Sequence, residues 1–177
     1  TAVDAAIEKA NALDKSQYEN FSAVDAAIAA VVRDKNITEQ AAVDGMAKDI
    51  NDAIAALKYK PADYTAVEAA LKSIPEDMSN YTDESVKAVN DAKEAVVRNR
   101  PITKQSEVDA MAKAINDAVA GLTYKAADYT AVDAAIKAIP SDLSVYTDET
   151  VKAVNDAKEA VVRDKNITEQ AAVDGMA

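Results

Sequence analysis

The stretch "VVRDKNITEQAAVDGMA" runs from Val31 to Ala47 and returns, unchanged, from Val161 to Ala177. A seventeen-residue identity within one chain is too long for chance and marks a duplicated structural unit. The flanking residues enlarge the match. Thr1-Ala2-Val3-Asp4-Ala5-Ala6 recurs as Thr65-Ala66-Val67-Glu68-Ala69-Ala70 and as Thr130-Ala131-Val132-Asp133-Ala134-Ala135, at spacings of 64 and then 65 residues. Between Thr65–Ala112 and Thr130–Ala177, 34 of 48 positions are identical, and most changes are as mild as Leu71 to Ile136, so the two segments should share one fold. A unit of this size can hold its own small core, unlike the repeats of about 20 to 45 residues that build solenoids. The sequence therefore predicts a tandem array, with units at residues 1–60, 61–125 and 126–177.

Each unit reads as three helices. In the second, Thr65 and Glu68 have capping-box spacing, and Val67, Leu71 and Ile74 line one face of a short helix that Pro75 stops. Thr82 with Asp83 and Glu84 opens a second helix, where the cap and the acids suit the positive end of the dipole. Its apolar positions are Val86, Val89, Ala92 and Val96. Thr103 is placed to cap a third, whose Val108, Met111, Ile115, Val119 and Leu122 fall at spacings of three and four. Helices are expected near 65–74, 82–98 and 103–122. The quoted stretch is thus a corner: the end of helix two, a turn, a cap at Thr38 and the start of helix three. Short connections make neighbouring helices antiparallel, so the fold class is all-α, an elongated array of up-down-up three-helix bundles.

The first unit differs in its first connection, which reads one residue shorter and lacks the proline, and Phe21 stands where the second unit has Val86. The third is cut within its third helix. Aligned with Lys48–Leu57, it lacks counterparts of Ile50, Ile54 and Leu57, which should leave Val132, Ile136, Val154 and Val161 without facing side chains. The expectation is that the protein continues with something close to "KDINDAIAALKY".

Composition supports helix: only three glycines and four prolines occur, too few for a loop-rich chain, and alanine is abundant. Twenty basic against thirty-one acidic residues give a net charge of −11, which repels nucleic-acid phosphates and anionic membranes alike. There is no cysteine and no histidine, which removes disulfides, thiolate zinc sites and the usual neutral-pH general base. The remaining carboxylates, Asp4, Glu107, Asp109 and Asp133, sit at helix starts or on polar faces. The turns Asp34-Lys35-Asn36 and Asp164-Lys165-Asn166 lack the glycine and closing glutamate of a calcium loop. Four Asn-x-Ser/Thr sequences begin at Asn20, Asn36, Asn80 and Asn166, but three of them end on threonines needed as helix caps. No enzyme activity, cofactor or metal is expected.

The helix pair "YTDESVKAVNDAKEAVV" (Tyr81–Val97) and "ITKQSEVDAMAKAINDAVAGL" (Ile102–Leu122), joined by a turn, resembles the FIVAR module. The resemblance implies a module found in tandem in surface proteins and secreted carbohydrate-active enzymes of Gram-positive bacteria. An extracellular location at the cell surface or wall follows from it; because the sequence starts inside a repeat, any signal or wall anchor is expected on sequence outside residues 1–177. It brings no catalytic residue. Two roles follow: a spacer that holds other domains away from the cell wall, or an adhesion module for glycans or host matrix and serum proteins.

The junctions Leu57–Tyr64 and Leu122–Tyr129 each carry two tyrosines, Tyr59 with Tyr64 and Tyr124 with Tyr129. Their rings suit sugar stacking or packing between neighbouring modules. The packing reading has Tyr64 and Tyr129 against bundle ends with their hydroxyls in water. Without glycine or serine the junctions should be stiff. Pro61 should break the helix between units one and two, whereas Ala126 should permit it to continue between units two and three. The array is expected to be monomeric.

Overall fold

The computed structural model describes residues 1–177 and is all-helical. The helices are α1 (Ala2–Asn11), α2 (Ser22–Ala29), α3 (Gln40–Ala55), α4 (Thr65–Lys72), α5 (Asp83–Glu94), α6 (Gln105–Ala120), α7 (Thr130–Ala138), α8 (Asp148–Glu159) and α9 (Gln170–Asp174). A single 3₁₀ turn precedes each of α3, α6 and α9, and another lies between α1 and α2. Antiparallel pairing occurs only as four isolated bridges.

The local signals act much as their chemistry requires, with shifts in who caps what. Thr1 makes the full capping box with Asp4. In the later repeats an aspartate two residues upstream takes over: Asp63 accepts from the Thr65 amide and hydroxyl, and Asp128 does the same for Thr130. Glu68 pairs with Arg98. Likewise Asn36 and Asn166, not Thr38 and Thr168, cap the turns that lead into α3 and α9, in capping boxes with Glu39 and Glu169. An asparagine oxygen reaches the orphan amides directly, so the threonine hydroxyl becomes a donor to it.

The second helix of the middle repeat stops at Glu94, short of the expected 98. The chain beyond it is claimed by tertiary hydrogen bonds, and Asn99 adopts a left-handed conformation with φ of 63°. In the first repeat the shortening falls in the helix itself: α2 has 8 residues against 12 in α5 and α8.

The residues divide into two compact units: Thr1–Glu68 with Val96–Ala112, and Ala69–Ala95 with Lys113–Ala177. The division passes through α4 and α6 instead of following the repeat boundaries. In the first unit α1 and α2 pack on α3. Val3, Ala6, Ala10, Phe21, Val24 and Ile50 form the buried core, with Ile54 and Leu57 against it. Val67 and Val108 are also fully buried in this unit. In the second, α9 packs on α7, where Val132 and Val173 are buried with Ala127 and have Ile136 and Val161 beside them. Val132 therefore keeps a partner, contrary to the expectation for it. Val154 instead lines an open groove.

The junctions behave alike. Neither is helical: α3 ends at Ala55, ahead of Pro61, and α6 ends at Ala120 while α7 begins at Thr130, so Ala126 permits no continuity. The physical reason lies in backbone bonds that a continuous helix would forfeit. In the first unit the extended strand 58–62 pairs with residues 17–19 on one side and with 100–102 on the other. In the second, strand 123–127 pairs with 80–82 and with 165–167 in the same way.

Candidate functional site

Each junction strand is fixed by four backbone hydrogen bonds. Lys60 N–H donates to Gln17 O at 2.8 Å and Glu19 N–H to Lys58 O at 2.9 Å, on the side of the preceding repeat. Ala62 N–H donates to Arg100 O at 2.9 Å and Ile102 N–H to Lys60 O at 2.8 Å, on the side of the following one. The second junction repeats the pattern through Lys125 to Asn80, Thr82 to Thr123, Ala127 to Lys165 and Ile167 to Lys125, at 2.8 to 3.0 Å. A residue such as Lys60, bonded backward through its amide and forward through its carbonyl, cannot swivel freely.

The four tyrosines expected to matter fall into two kinds. Tyr59 stacks on Tyr18 with ring centroids 4.7 Å apart and an interplanar angle of 22°. Tyr124 stacks on Tyr81 at 4.6 Å and 17°. The paired hydroxyls lie 3.4 and 3.3 Å apart. Donation to the Tyr59 and Tyr124 hydroxyls, with partial burial, pushes the Tyr18 and Tyr81 hydroxyls above the ordinary tyrosine value. Tyr59 and Tyr124 remain 45% and 43% exposed, so one residue of each stack stays partly in solvent.

Tyr64 and Tyr129 do something else. The Tyr64 hydroxyl donates to the Val97 carbonyl at 2.8 Å and accepts from the Arg100 amide at 3.1 Å. Tyr129 bridges the Val162 carbonyl and the Lys165 amide at 2.9 and 3.1 Å. Their hydroxyls are thus occupied by backbone, not kept in water. An arginine covers each ring, Arg98 at 5.4 Å and Arg163 at 5.5 Å from the centroid. Those arginines reach on to Glu68 and Asp133, and Arg33 pairs with Asp4 in the same manner. Gln105 and Gln170 complete the latch, each accepting from the backbone amide of Asp63 or Asp128 and donating to its carbonyl.

The structure does not stack Tyr59 on Tyr64, although the sequence placed them in one segment. It brings in two residues that sequence reasoning passed over, Tyr18 and Tyr81. A signal for them existed: Tyr18, Tyr81 and Tyr146 each sit just ahead of a second helix. The chemistry available is stacking and hydrogen bonding. Asp63 and Asp128 are held below the ordinary carboxylate range by the Thr65 and Thr130 hydroxyls, so at neutral pH they are anionic caps and not proton donors. No group of three or more carboxylates converges as a metal site. No helix is long and apolar enough to cross a membrane.

Comparison with known proteins returns no match to a family model, a curated protein or a solved structure.

Proposed function

We propose that the chain is a non-catalytic structural spacer, a stalk of tandem FIVAR-like three-helix modules in an extracellular bacterial surface protein, which holds other domains away from the cell wall. The observation that carries this reading is the doubly bonded junction strand, present in both units in the same form. A spacer needs resistance to bending at its joints. Backbone bonds to both neighbours supply that without any particular surface chemistry. The acidic surface fits a part that avoids nucleic acid and anionic membranes, and its natural partners are the neighbouring modules of the same chain. Small-angle scattering tests the reading: a monomeric rod of three bundles end to end should extend roughly 80 Å. A radius of gyration of about 16 Å, that of a single compact domain of this length, would overturn it.

A second reading, adhesion to glycans or host proteins, is favoured by one observation. The Tyr18/Tyr59 and Tyr81/Tyr124 stacks recur at equivalent positions with Tyr59 and Tyr124 partly exposed, and partly exposed aromatic rings suit sugar stacking. A glycan array and a serum-protein pull-down on the chain and on its Tyr59→Ala/Tyr124→Ala variant decide it. Binding lost in the variant supports adhesion, and no binding leaves the spacer.

A further inference from the structure

Each compact unit holds one tyrosine pair that is at once a cross-strand pair and a stack. Tyr18 faces Tyr59, and Tyr81 faces Tyr124, across isolated antiparallel bridges. Directly opposed residues of such a bridge hold their Cβ atoms within about 5.5 Å, so two aromatic rings placed there pack on one another. The centroids are 4.7 and 4.6 Å apart and the planes are inclined by only 22° and 17°. The rings also point the same way, because their hydroxyls meet: Tyr18 donates to Tyr59 at 3.4 Å and Tyr81 to Tyr124 at 3.3 Å. The carbons ortho to the two hydroxyls are thereby brought to facing positions in the stack.

We propose that each stack is a site of oxidative cross-linking, at which a one-electron oxidant, a haem peroxidase acting with hydrogen peroxide, joins Tyr18 to Tyr59 and Tyr81 to Tyr124 by an ortho carbon–carbon bond. The exposed ring is the entry point. Tyr59 and Tyr124 are the exposed members, whereas Tyr18 is buried and Tyr81 half-buried. The oxidant takes an electron from the Tyr59 phenol and water takes its proton, which leaves a phenoxyl radical. A hydrogen atom then passes along the hydrogen bond from the Tyr18 hydroxyl to the Tyr59 oxygen, so the radical moves inward and Tyr59 is ready for a second oxidation. Two radicals now share one stack. Each carries spin density at its ortho carbons, in p orbitals directed across the stack, and the new bond forms between the facing rings. Transfer of the hydrogen on each joined carbon back to its own phenolic oxygen restores both aromatic rings and both hydroxyls. In sum, two phenols and one hydrogen peroxide give one biphenol and two waters. Tyr81 and Tyr124 react in the same way.

The remaining tyrosines lack this geometry. The Tyr64 and Tyr129 hydroxyls are held by backbone and their rings lie under arginines, and Tyr146 has no ring stacked on it. Residues 1–177 include neither cysteine nor tryptophan, so no thiol or indole drains the radical away. The link ties the junction strand covalently to the first connection of its repeat and, as a disulfide does, restricts the unfolded chain. Stiffening of a stalk by this link rests on the spacer reading; the linkage itself does not.

The test treats the dilute 177-residue chain with a haem peroxidase and limiting hydrogen peroxide. Intact mass should fall by two hydrogens per link, and the blue fluorescence of a biphenol should appear in the monomer fraction. Peptide mapping should join the peptide carrying Tyr18 to that carrying Tyr59, and Tyr81 to Tyr124. Because the fold holds the partners in place, the yield should be independent of protein concentration and about tenfold lower in urea. Tyr59→Phe keeps a ring in the stack but forms no phenoxyl radical, so it should abolish the first link and spare the second; Tyr124→Phe should do the reverse. The surviving link in each variant shows that its chain is folded. In the linked chain the Lys60 and Lys125 amides should exchange at least about tenfold more slowly. Links through Tyr64, Tyr129 or Tyr146 in place of the two pairs, a product confined to dimers, or an equal yield from the unfolded chain would each overturn the inference. Both links mapped in a chain that scatters as a compact globule would remove the stalk and uphold the linkage.

Discussion

Tyr59 and Tyr64, five positions apart, show how one side chain serves two ends according to where its hydroxyl lands. The Tyr64 oxygen saturates a carbonyl and an amide just beyond α5, at the point where that helix gives way to the connection. Removing it strands both backbone groups, so Tyr64→Phe should lower stability by about 1 to 2 kcal/mol. The denaturant midpoint would fall with an unchanged slope. Tyr129→Phe should behave the same way. The Tyr18 hydroxyl is different, since its strongest partner is another hydroxyl. A raised folded-state pKa means that the neutral form is favoured by the fold. Its contribution is fully present below the unfolded value near 10 and is lost as pH rises through the higher folded value. Absorbance titration should therefore show Tyr18 and Tyr81 ionising later than an ordinary tyrosine. Tyr59→Phe should return Tyr18 toward 10, and an unmoved curve would show that the pair does not act as described.

At the scale of the element, the junction strand replaces the helix that an alanine seemed to invite. Ala126 occupies the place of Pro61, and its amide makes no hydrogen bond, while the amides on either side do. Ala126→Pro should therefore be neutral or stabilising by up to about 1 kcal/mol, as proline removes unfolded-state freedom without breaking a bond. Ala127→Pro deletes the bond to Lys165 and should destabilise the chain. Comparing the two thermal midpoints checks both. The same elements mark how far the sequence could be read. Helix positions followed from local signals, and the apolar stripe of Val108, Met111 and Ile115 predicted burial that the fold realises at Val108 and Ile115. What escaped was non-local. No spacing rule reveals that Asp63 would displace Thr65 as cap, that α5 would end where Tyr64 reaches it, or that Tyr59 would find Tyr18 across 41 residues. Of the candidate site, the four junction tyrosines were visible because the junction repeats. Their partners were not, because pairing depends on how the helices return the chain.

Across the molecule, each compact unit contains one complete junction, strand and both partners included. That placement explains why the division cuts a repeat instead of a joint: hydrogen bonds tie the junction to the first connection of the preceding repeat and to the second connection of the following one. A joint so built leaves a signature that no flexible linker shares. The Lys60, Ala62, Lys125 and Ala127 amides are all donors to carbonyls in other segments, whereas the Ala126 amide between two of them has no partner. Native-state hydrogen exchange should find the four bonded amides protected by at least about a hundredfold, equivalent to an opening free energy of roughly 2.7 kcal/mol. Ala126 should exchange close to the rate of an unstructured peptide. This alternation, protected then open then protected along Lys125, Ala126 and Ala127, belongs to an extended strand held on both edges. Uniform protection would mean that α6 runs on into α7, and uniform fast exchange would mean that the repeats are joined by loose tethers. The second result would remove the stiffness on which the spacer reading depends, and the first would replace the bonded strand with a helical joint.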